Sequence, residues 1–189
     1  MKKLLFAAVA VFAFGAANAQ EVKFGAKAGL NLSNFTGDVE GNSMKVGFQL
    51  GGLVEIGISE KFAVQPELVY SAQGAKFDDS FFGDYDLNFN YLNIPVMAKY
   101  YVAEGFSLEA GPQIGFLMSA KAKADGEDED VKDEFNSTDF GLNFGAGYNV
   151  TENINLGVRY SLGLSNLNKE DGAGDLKNSN IAFAVAYKF

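Results

Sequence analysis

The stretch that decides the fold is Tyr91–Ser119, which reads YLNIPVMAKYYVAEGFSLEAGPQIGFLMS. Apolar side chains occupy alternate positions on both sides of a short polar break. An alternation with a period of two is the pattern of a β-strand that has two different faces. Two such strands joined by a short turn predict a hairpin, in which we expect Val102 to face Phe106 and Val96 to face Pro112.

The rest of the chain repeats this unit. Besides strands four and five of the hairpin, alternating segments begin near Val22, Met44, Phe62, Phe140, Ile154 and Ile181. Long polar connections are predicted at 33–43, 74–87, 121–136 and 166–178. The other connections are short, so an up-and-down meander of eight antiparallel strands places every long loop at one end and every short turn at the other. That asymmetry is typical of outer-membrane barrels.

Composition excludes several classes of function. The 189 residues contain no Cys and no His, so disulfides, thiolate or imidazole metal sites and His-dependent triads are impossible. No nucleophile and base are marked by spacing, so we expect a non-enzymatic protein without a catalytic, cofactor or metal site. The 22 Gly and the abundant Phe and Tyr favour an all-β protein.

The N-terminus has the pattern of a secretory signal peptide. A basic start is followed by the apolar run Leu4–Phe14 and by the A-x-A site Ala17-Asn18-Ala19, before Gln20. The alternative, an uncleaved anchor, requires a longer apolar run. We therefore predict a signal peptide at 1–19 and one barrel domain at 20–189. Cleavage would change the formal charge from −9 to −11, and so acidic a chain argues against a nucleic-acid partner.

The alternation alone does not say which face is outside. A soluble barrel of lipocalin type would turn its apolar face inward around a ligand, whereas a membrane barrel turns it toward lipid. The apolar face carries roughly five large side chains per strand, more than an eight-stranded interior can hold. The opposite face is rich in Gly, Ala, Asn and Ser, which suit a narrow lumen. We therefore predict a transmembrane β-barrel with lipid around the apolar face.

This orientation places charges inside the barrel. The predicted lumen cations are Lys23, Lys27, Lys45, Lys99, Arg159 and Lys188, and the anions are Glu55, Glu67, Glu109 and Asp139. Buried charges persist only when they are paired or hydrated. A network among Glu55, Glu67, Glu109, Lys99 and Arg159 would plug the lumen; the alternative is a narrow pore for ions or small solutes.

The three prolines, Pro66, Pro95 and Pro112, lie inside predicted strands. A closed barrel has no edge strand that could tolerate a missing N–H, so each should mark a bulge or a gap in the hydrogen-bond ladder. One hypothesis is a weakened ladder between strands four and five where a partner docks; bulges that only shape the barrel are the alternative.

Two predicted loops have distinctive compositions. Asp125–Asp130 could bind calcium through its oxygens, but it lacks EF-hand spacing, and a solvated acidic loop is the alternative. The segment Asp78–Phe82 mixes acids with two aromatics, which fits either a recognition tip or an extension of an aromatic belt.

Three phrases resemble a known family: QPELVYSAQG (65–74), YLNIPVMAKYY (91–101) and LEAGPQIGFLMSAK (108–121). They resemble the PorT-type family of small outer-membrane β-barrels of Gram-negative bacteria, and the resemblance covers nearly all of the chain after the signal peptide. It implies an outer-membrane location, a structural or accessory role in envelope transport or secretion, and an envelope protein partner. Terminal Phe189, with Tyr187 and Val185, resembles the C-terminal signal recognised by the barrel assembly machinery.

Overall fold

The computed structural model describes residues 21–39, 41–77, 85–124, 126–170, 172 and 174–189. The predicted signal peptide and the segment Asp78–Phe82 lie outside the described residues. The strands are β1 Glu21–Gly37, β2 Asn42–Ser59, β3 Phe62–Phe77, β4 Tyr85–Ala103, β5 Phe106–Ala124, β6 Glu127–Asp130, β7 Thr138–Asn149, β8 Ile154–Gly163 and β9 Leu176–Lys188. A single 3₁₀ turn within the described residues, Lys132–Glu134, follows β6.

The sheet closes on itself as an antiparallel barrel, which confirms the predicted fold class. The strand order is β4-β3-β2-β1-β9-β8-β7-β5, and β4 also pairs with β5. First and last strands meet in a long ladder that runs from Gly25↔Lys188 to Gly37↔Leu176. The short strand β6 lies outside this ring and pairs only with the end of β5, so eight strands form the barrel wall.

Several predicted loops are shorter than the composition suggests. Strand β1 continues to Gly37, β3 continues to Phe77, and β4 begins at Tyr85, so much of 33–43 and 74–87 is strand. The prediction was wrong there because polar residues still complete a ladder, as in the pair Lys76↔Asp86. The turn register also differs: Phe106 pairs with Ala103 instead of Val102, because the ladder shifts by one residue after Tyr101↔Ser107.

The outer face carries the apolar side chains, as predicted. Large apolar residues from all eight wall strands are exposed, for example Phe24, Leu50, Leu108 and Phe183. Side chains of this kind on the outside of a closed barrel form the lipid-facing band of a membrane protein. Among the described residues no helix is long and apolar enough to cross a membrane.

The facing of the strands inverts toward the long-loop end. On β4 the inward positions Phe89 and Tyr91 are apolar and buried, while the outward positions Asp86, Asn88 and Asn90 are polar. On β5, Leu117 keeps the inward parity of Glu109 and Gly115, and a bulge opposite Asn90 and Tyr91 then shifts that parity by one residue, so that Ala120 is buried. The barrel is therefore apolar outside and polar inside along most of its height, and polar outside and apolar inside at its top.

The prolines lie beside gaps in the ladder, as predicted. Pairing between β4 and β5 stops at Pro95↔Gln113 and resumes, without a change of register, at Ala98↔Ala110. Pairing between β3 and β4 likewise stops at Pro66↔Val96 and resumes at Val69↔Asn93. These gaps place Pro66, Pro95 and Pro112 in one part of the wall, where rows of the ladder are interrupted.

Candidate functional site

The centre of the lumen is Arg159 of β8. Its guanidinium donates two hydrogen bonds to Glu67, Nη1 to Oε2 at 3.0 Å and Nη2 to Oε1 at 2.9 Å, and a third from Nη2 to Glu109 Oε2 at 2.7 Å. Strands β8 and β3 lie four places apart in the ring of eight, so this bidentate pair crosses the barrel. The planar fork of Arg fits a carboxylate in this geometry.

Glu67 is the most deeply buried of the three glutamates in this network. Lys27 Nζ donates to its Oε2 at 2.9 Å and Gln65 Nε2 to its Oε1 at 2.6 Å, in addition to the two bonds from Arg159. The Glu67 side chain has no exposed surface. Such a charge is tolerated only because its partners replace the lost water.

A second group of ion pairs lies nearer the short-turn end. Glu55 accepts hydrogen bonds from Lys99 at 2.7 Å, from Lys188 at 3.2 Å and from the Tyr101 hydroxyl at 3.0 Å. Lys99 also approaches Glu109 at 4.0 Å, which joins the two groups. The ion-pair network consists of Lys27, Glu55, Glu67, Lys99, Glu109, Arg159 and Lys188.

Most of the predicted lumen charges belong to this network, but three do not. Lys23 pairs with Glu21 beside the short-turn mouth, and its side chain is one-third exposed. Lys45 pairs with Asp86 near the long-loop end. Asp139 is buried and makes none of the ion pairs found among the described residues.

Uncharged polar side chains fill the lumen above the ion pairs. Asn31 donates to Ser71 Oγ and to the carbonyls of Phe48 and Ala72, all at 2.9–3.0 Å. The remaining voids are small: cavities beside Arg159 have volumes of about 20 and about 10 Å³. A void of this size holds about one water molecule.

The top of the lumen is closed by apolar side chains that the sequence analysis missed. The inner cap consists of Phe35, Ala75, Phe77, Phe89, Tyr91, Leu117, Ala120, Phe135, Leu167 and Leu176. Phe89 lies at its centre, with ring centroids 5.2 Å from Phe35 and 4.7 Å from Phe135. The sequence signal was present, because Phe35 and Phe77 continue the inward-facing alternation of their strands into the predicted loops, and Phe89 continues that of β4 ahead of the predicted hairpin.

The two ends of the barrel carry features that are exposed to solvent. A cavity of about 270 Å³ at the short-turn mouth is lined by residues that include Lys23, Glu55, Tyr101 and Lys188. At the opposite end, the acidic segment 127–130 is exposed, and Asp128 pairs with Lys121. Within the described part of the chain, no three or more Asp, Glu, His or Cys residues are grouped to hold a metal.

A closed antiparallel barrel with an apolar outer band and a polar lumen defines an integral β-barrel membrane protein. The model of the family described as "Outer membrane protein beta-barrel domain" matches residues 18–169. The chain belongs to this family, and it is an outer-membrane protein. A search of curated proteins found no match.

Solved structures share the fold at low sequence identity. Neisserial surface protein A is 14% identical with a TM-score of 0.60, and the alignment covers 90% of this chain and 100% of that one. Ail of Yersinia pestis, crystallised with the heparin analogue sucrose octasulfate, is 21% identical with a TM-score of 0.52 and the same coverages. At these identities the likeness shows the fold alone.

Proposed function

We propose that this protein is a non-enzymatic outer-membrane barrel with a closed lumen, which acts as a structural component or as an accessory to envelope transport or secretion. The observation that carries the proposal is the bidentate pair of Arg159 with Glu67, which spans the lumen between opposite strands. The inner cap above it and the water-sized voids beside it support a barrier with two layers.

The alternative of a narrow pore remains a distinct function with a clear test. The lumen is lined with charged groups, and the short-turn mouth opens into a cavity of about 270 Å³. A pore must, however, pass both the ion-pair network and the inner cap. The third possibility from the sequence, a periplasmic ligand-binding barrel, is contradicted by the apolar outer band and by the family.

Conductance in planar lipid bilayers decides between a barrier and a pore. We expect no stable single-channel steps from the wild-type barrel or from Arg159→Ala, in which the inner cap remains. The double variant Arg159→Ala with Phe89→Ala should give brief openings because it weakens both layers. Long-lived steps from the wild-type protein would refute the closed lumen and favour the pore. Glu104→Gln, at an exposed turn, is the matched control.

The accessory role requires a partner, and the long loops are the surface that offers one. Their acidic residues, such as Glu129 and Glu134, argue against carrying over from Ail the binding of a heparin analogue, since that ligand is a polyanion. We propose an envelope protein as the partner, in line with the PorT-type resemblance. A photo-crosslinker at Glu129 should give a defined product with another protein, whereas one at lipid-facing Val46 should not. Absence of any product from the loops would leave only the structural role.

We also propose that Phe189 is read by the barrel assembly machinery. Its backbone N–H donates to the carbonyl of Phe24 at 2.9 Å, and its ring is largely exposed beside Tyr187. Phe189→Ala should lower the assembled fraction in cells without lowering refolding of the purified protein into detergent. Equal losses in both assays would indicate a purely structural role for the ring.

A further inference from the structure

The short strand β6 leaves one sheet edge open. It pairs with Lys121–Ala124 of β5 and, within the described part of the chain, with no other strand. The loop between β8 and β9 pairs with the chain beyond β6, where Phe135 forms a bridge with Asn168. The second edge of β6 is therefore not covered by any described segment, and all four of its residues are exposed.

The backbone groups of Asp128 and Asp130 face this open edge. The N–H of Val131 donates to the carbonyl of Ala120 at 3.0 Å, in the same register as the ladder between β5 and β6. Opposed pairs of an antiparallel ladder alternate between hydrogen-bonded and non-hydrogen-bonded, so Glu129 directs its N–H and C=O toward β5, whereas Asp128 and Asp130 direct theirs away. A row of unpaired N–H and C=O groups is a template for a further strand.

The two faces of this small sheet differ in charge. The ladder pairs are Asp128↔Lys123 and Asp130↔Lys121 on one face, and Glu127↔Ala124 and Glu129↔Ala122 on the other. On the first face, Lys121 Nζ lies 3.4 Å from Asp128 Oδ2, so the acids have lysines beside them. On the second face, Glu127 and Glu129 have alanines opposite and make none of the ion pairs found among the described residues. A strand added at this edge therefore meets uncompensated negative charge on one face.

We propose that the open edge of β6 docks an extended segment of a partner protein by strand addition, and that this segment carries Lys or Arg at alternate positions. Alternate side chains of an added strand lie on one face, so basic residues at these positions can lie beside Glu127 and Glu129. Opposite charges on neighbouring strands stabilise their pairing, and like charges destabilise it. A second copy of this chain would bring the same acidic strand, and a lipid phosphate would bring another anion, so both are disfavoured.

The acidic surface continues beyond β6. Asp133, Glu134 and Glu170 are among the residues that line an open cavity of about 570 Å³. Lys169 also lines it, and its Nζ donates to the carbonyl of Asp133 at 3.3 Å. A basic side chain that follows the docked segment can lie in this cavity. As a docking surface, the β6 edge deepens the accessory role proposed above and rests on it for the existence of a partner.

Backbone NMR of the barrel refolded into detergent tests the docking edge without the natural partner. The probe is the peptide Lys-Thr-Lys-Thr-Lys-Thr-Lys, and the control peptide Lys-Lys-Lys-Lys-Thr-Thr-Thr has the same composition and charge. We expect the alternating peptide to bind about fivefold more tightly, as two added cross-strand charge pairs imply. Its binding should slow hydrogen exchange of the Asp128 and Asp130 amides severalfold and leave that of the Glu129 amide nearly unchanged.

Variants of matched charge assign the binding to the edge and to one face. Glu127→Gln with Glu129→Gln should weaken the alternating peptide about fivefold, whereas Asp128→Asn with Asp130→Asn should weaken it less, because those two acids already lie opposite lysines. Asp128→Pro removes an N–H that faces the open edge and should weaken binding severalfold more than Asp128→Asn, which removes the same charge.

The opposite results overturn strand addition. Equal affinities of the two peptides, or equal losses in the two double variants, would reduce the interaction to unspecific charge attraction. Protection of the same amides that rises with protein concentration in the absence of peptide would assign the edge to a second copy. If Asp128→Pro does not refold, the two double variants decide by themselves. Absence of peptide binding would refute the docking edge and leave the accessory role standing, since the crosslink at Glu129 tests that role separately.

Discussion

The ion-pair network predicts that two glutamates of the lumen differ sharply in their contribution to stability. Glu67 bonds to Arg159 twice, to Lys27 and to Gln65. Glu109 has one short bond to Arg159 and a 4.0 Å contact with Lys99. The perturbations are Glu67→Gln and Glu109→Gln, which keep the size of each side chain and remove its charge.

The magnitudes follow from what each variant leaves behind. Glu67→Gln removes the ion pair that Lys27 makes among the described residues, and it removes the bidentate carboxylate partner of Arg159. Because breaking a buried ion pair costs about 3–5 kcal/mol, we expect the free energy of unfolding to fall by that amount. After Glu109→Gln, Arg159 keeps Glu67 and Lys99 keeps Glu55, so about 1.5 kcal/mol is lost, as for one charge-assisted hydrogen bond. The variants should differ by about 2 kcal/mol, or roughly thirtyfold in the unfolding equilibrium constant.

Urea titration of the refolded barrel measures this difference. The folded fraction is followed by tyrosine fluorescence and by the mobility of unboiled samples on SDS gels, and unfolding and refolding curves must coincide. Glu104→Gln at the exposed turn serves as the control and should match wild type. Equal losses for Glu67→Gln and Glu109→Gln would refute the central role of Glu67.

Three further predictions use the same preparations. Phe89→Ala, at the centre of the inner cap, should destabilise the barrel by about 3–5 kcal/mol, and lipid-facing Phe48→Ala by much less; equal effects would argue against a packed cap. Leu50→Lys, near the middle of β2 on the lipid face, should cost about 2–4 kcal/mol in vesicles, and an unchanged urea midpoint would place that face in water. In hydrogen exchange, the backbone amides beside Pro95 and Pro112 should exchange faster than the amides toward the strand ends. Uniformly slow amide exchange along β4 and β5 would contradict a weakened ladder.

Much of this architecture was predictable from the alternation of apolar and polar residues, because every strand that contacts lipid must place its apolar side chains outward. Phe48, Leu50 and Leu108 face out wherever the wall contacts lipid, so period-two patterning locates the strands and their facing. The partners Glu67, Glu109 and Arg159 followed from the same facing, since charges confined in a narrow lumen must pair.

The inner cap and the upper ends of the strands could not be predicted in this way, because apolar side chains no longer face outward where the barrel wall extends beyond the lipid. There Phe77 and Phe89 point inward and Lys76 and Asp86 face outward, so polar residues in a strand look like a loop. The bulge in β5 that brings Ala120 inside is set by pairing with β4, a long-range contact without a local signal.

The inverted top of the barrel also sets how far the acidic loops stand from the membrane. On β4 the outward apolar positions end at Leu92, so Tyr85–Tyr91 continues beyond the lipid. Seven residues at about 3.3 Å per residue and a tilt of about 45° give a collar roughly 15 Å tall. The Debye length at physiological salt is about 8 Å, so the collar holds the loop carboxylates beyond effective electrostatic range of lipid phosphates. An acidic loop surface and an anionic leaflet can therefore coexist on the same side of the membrane with little mutual repulsion.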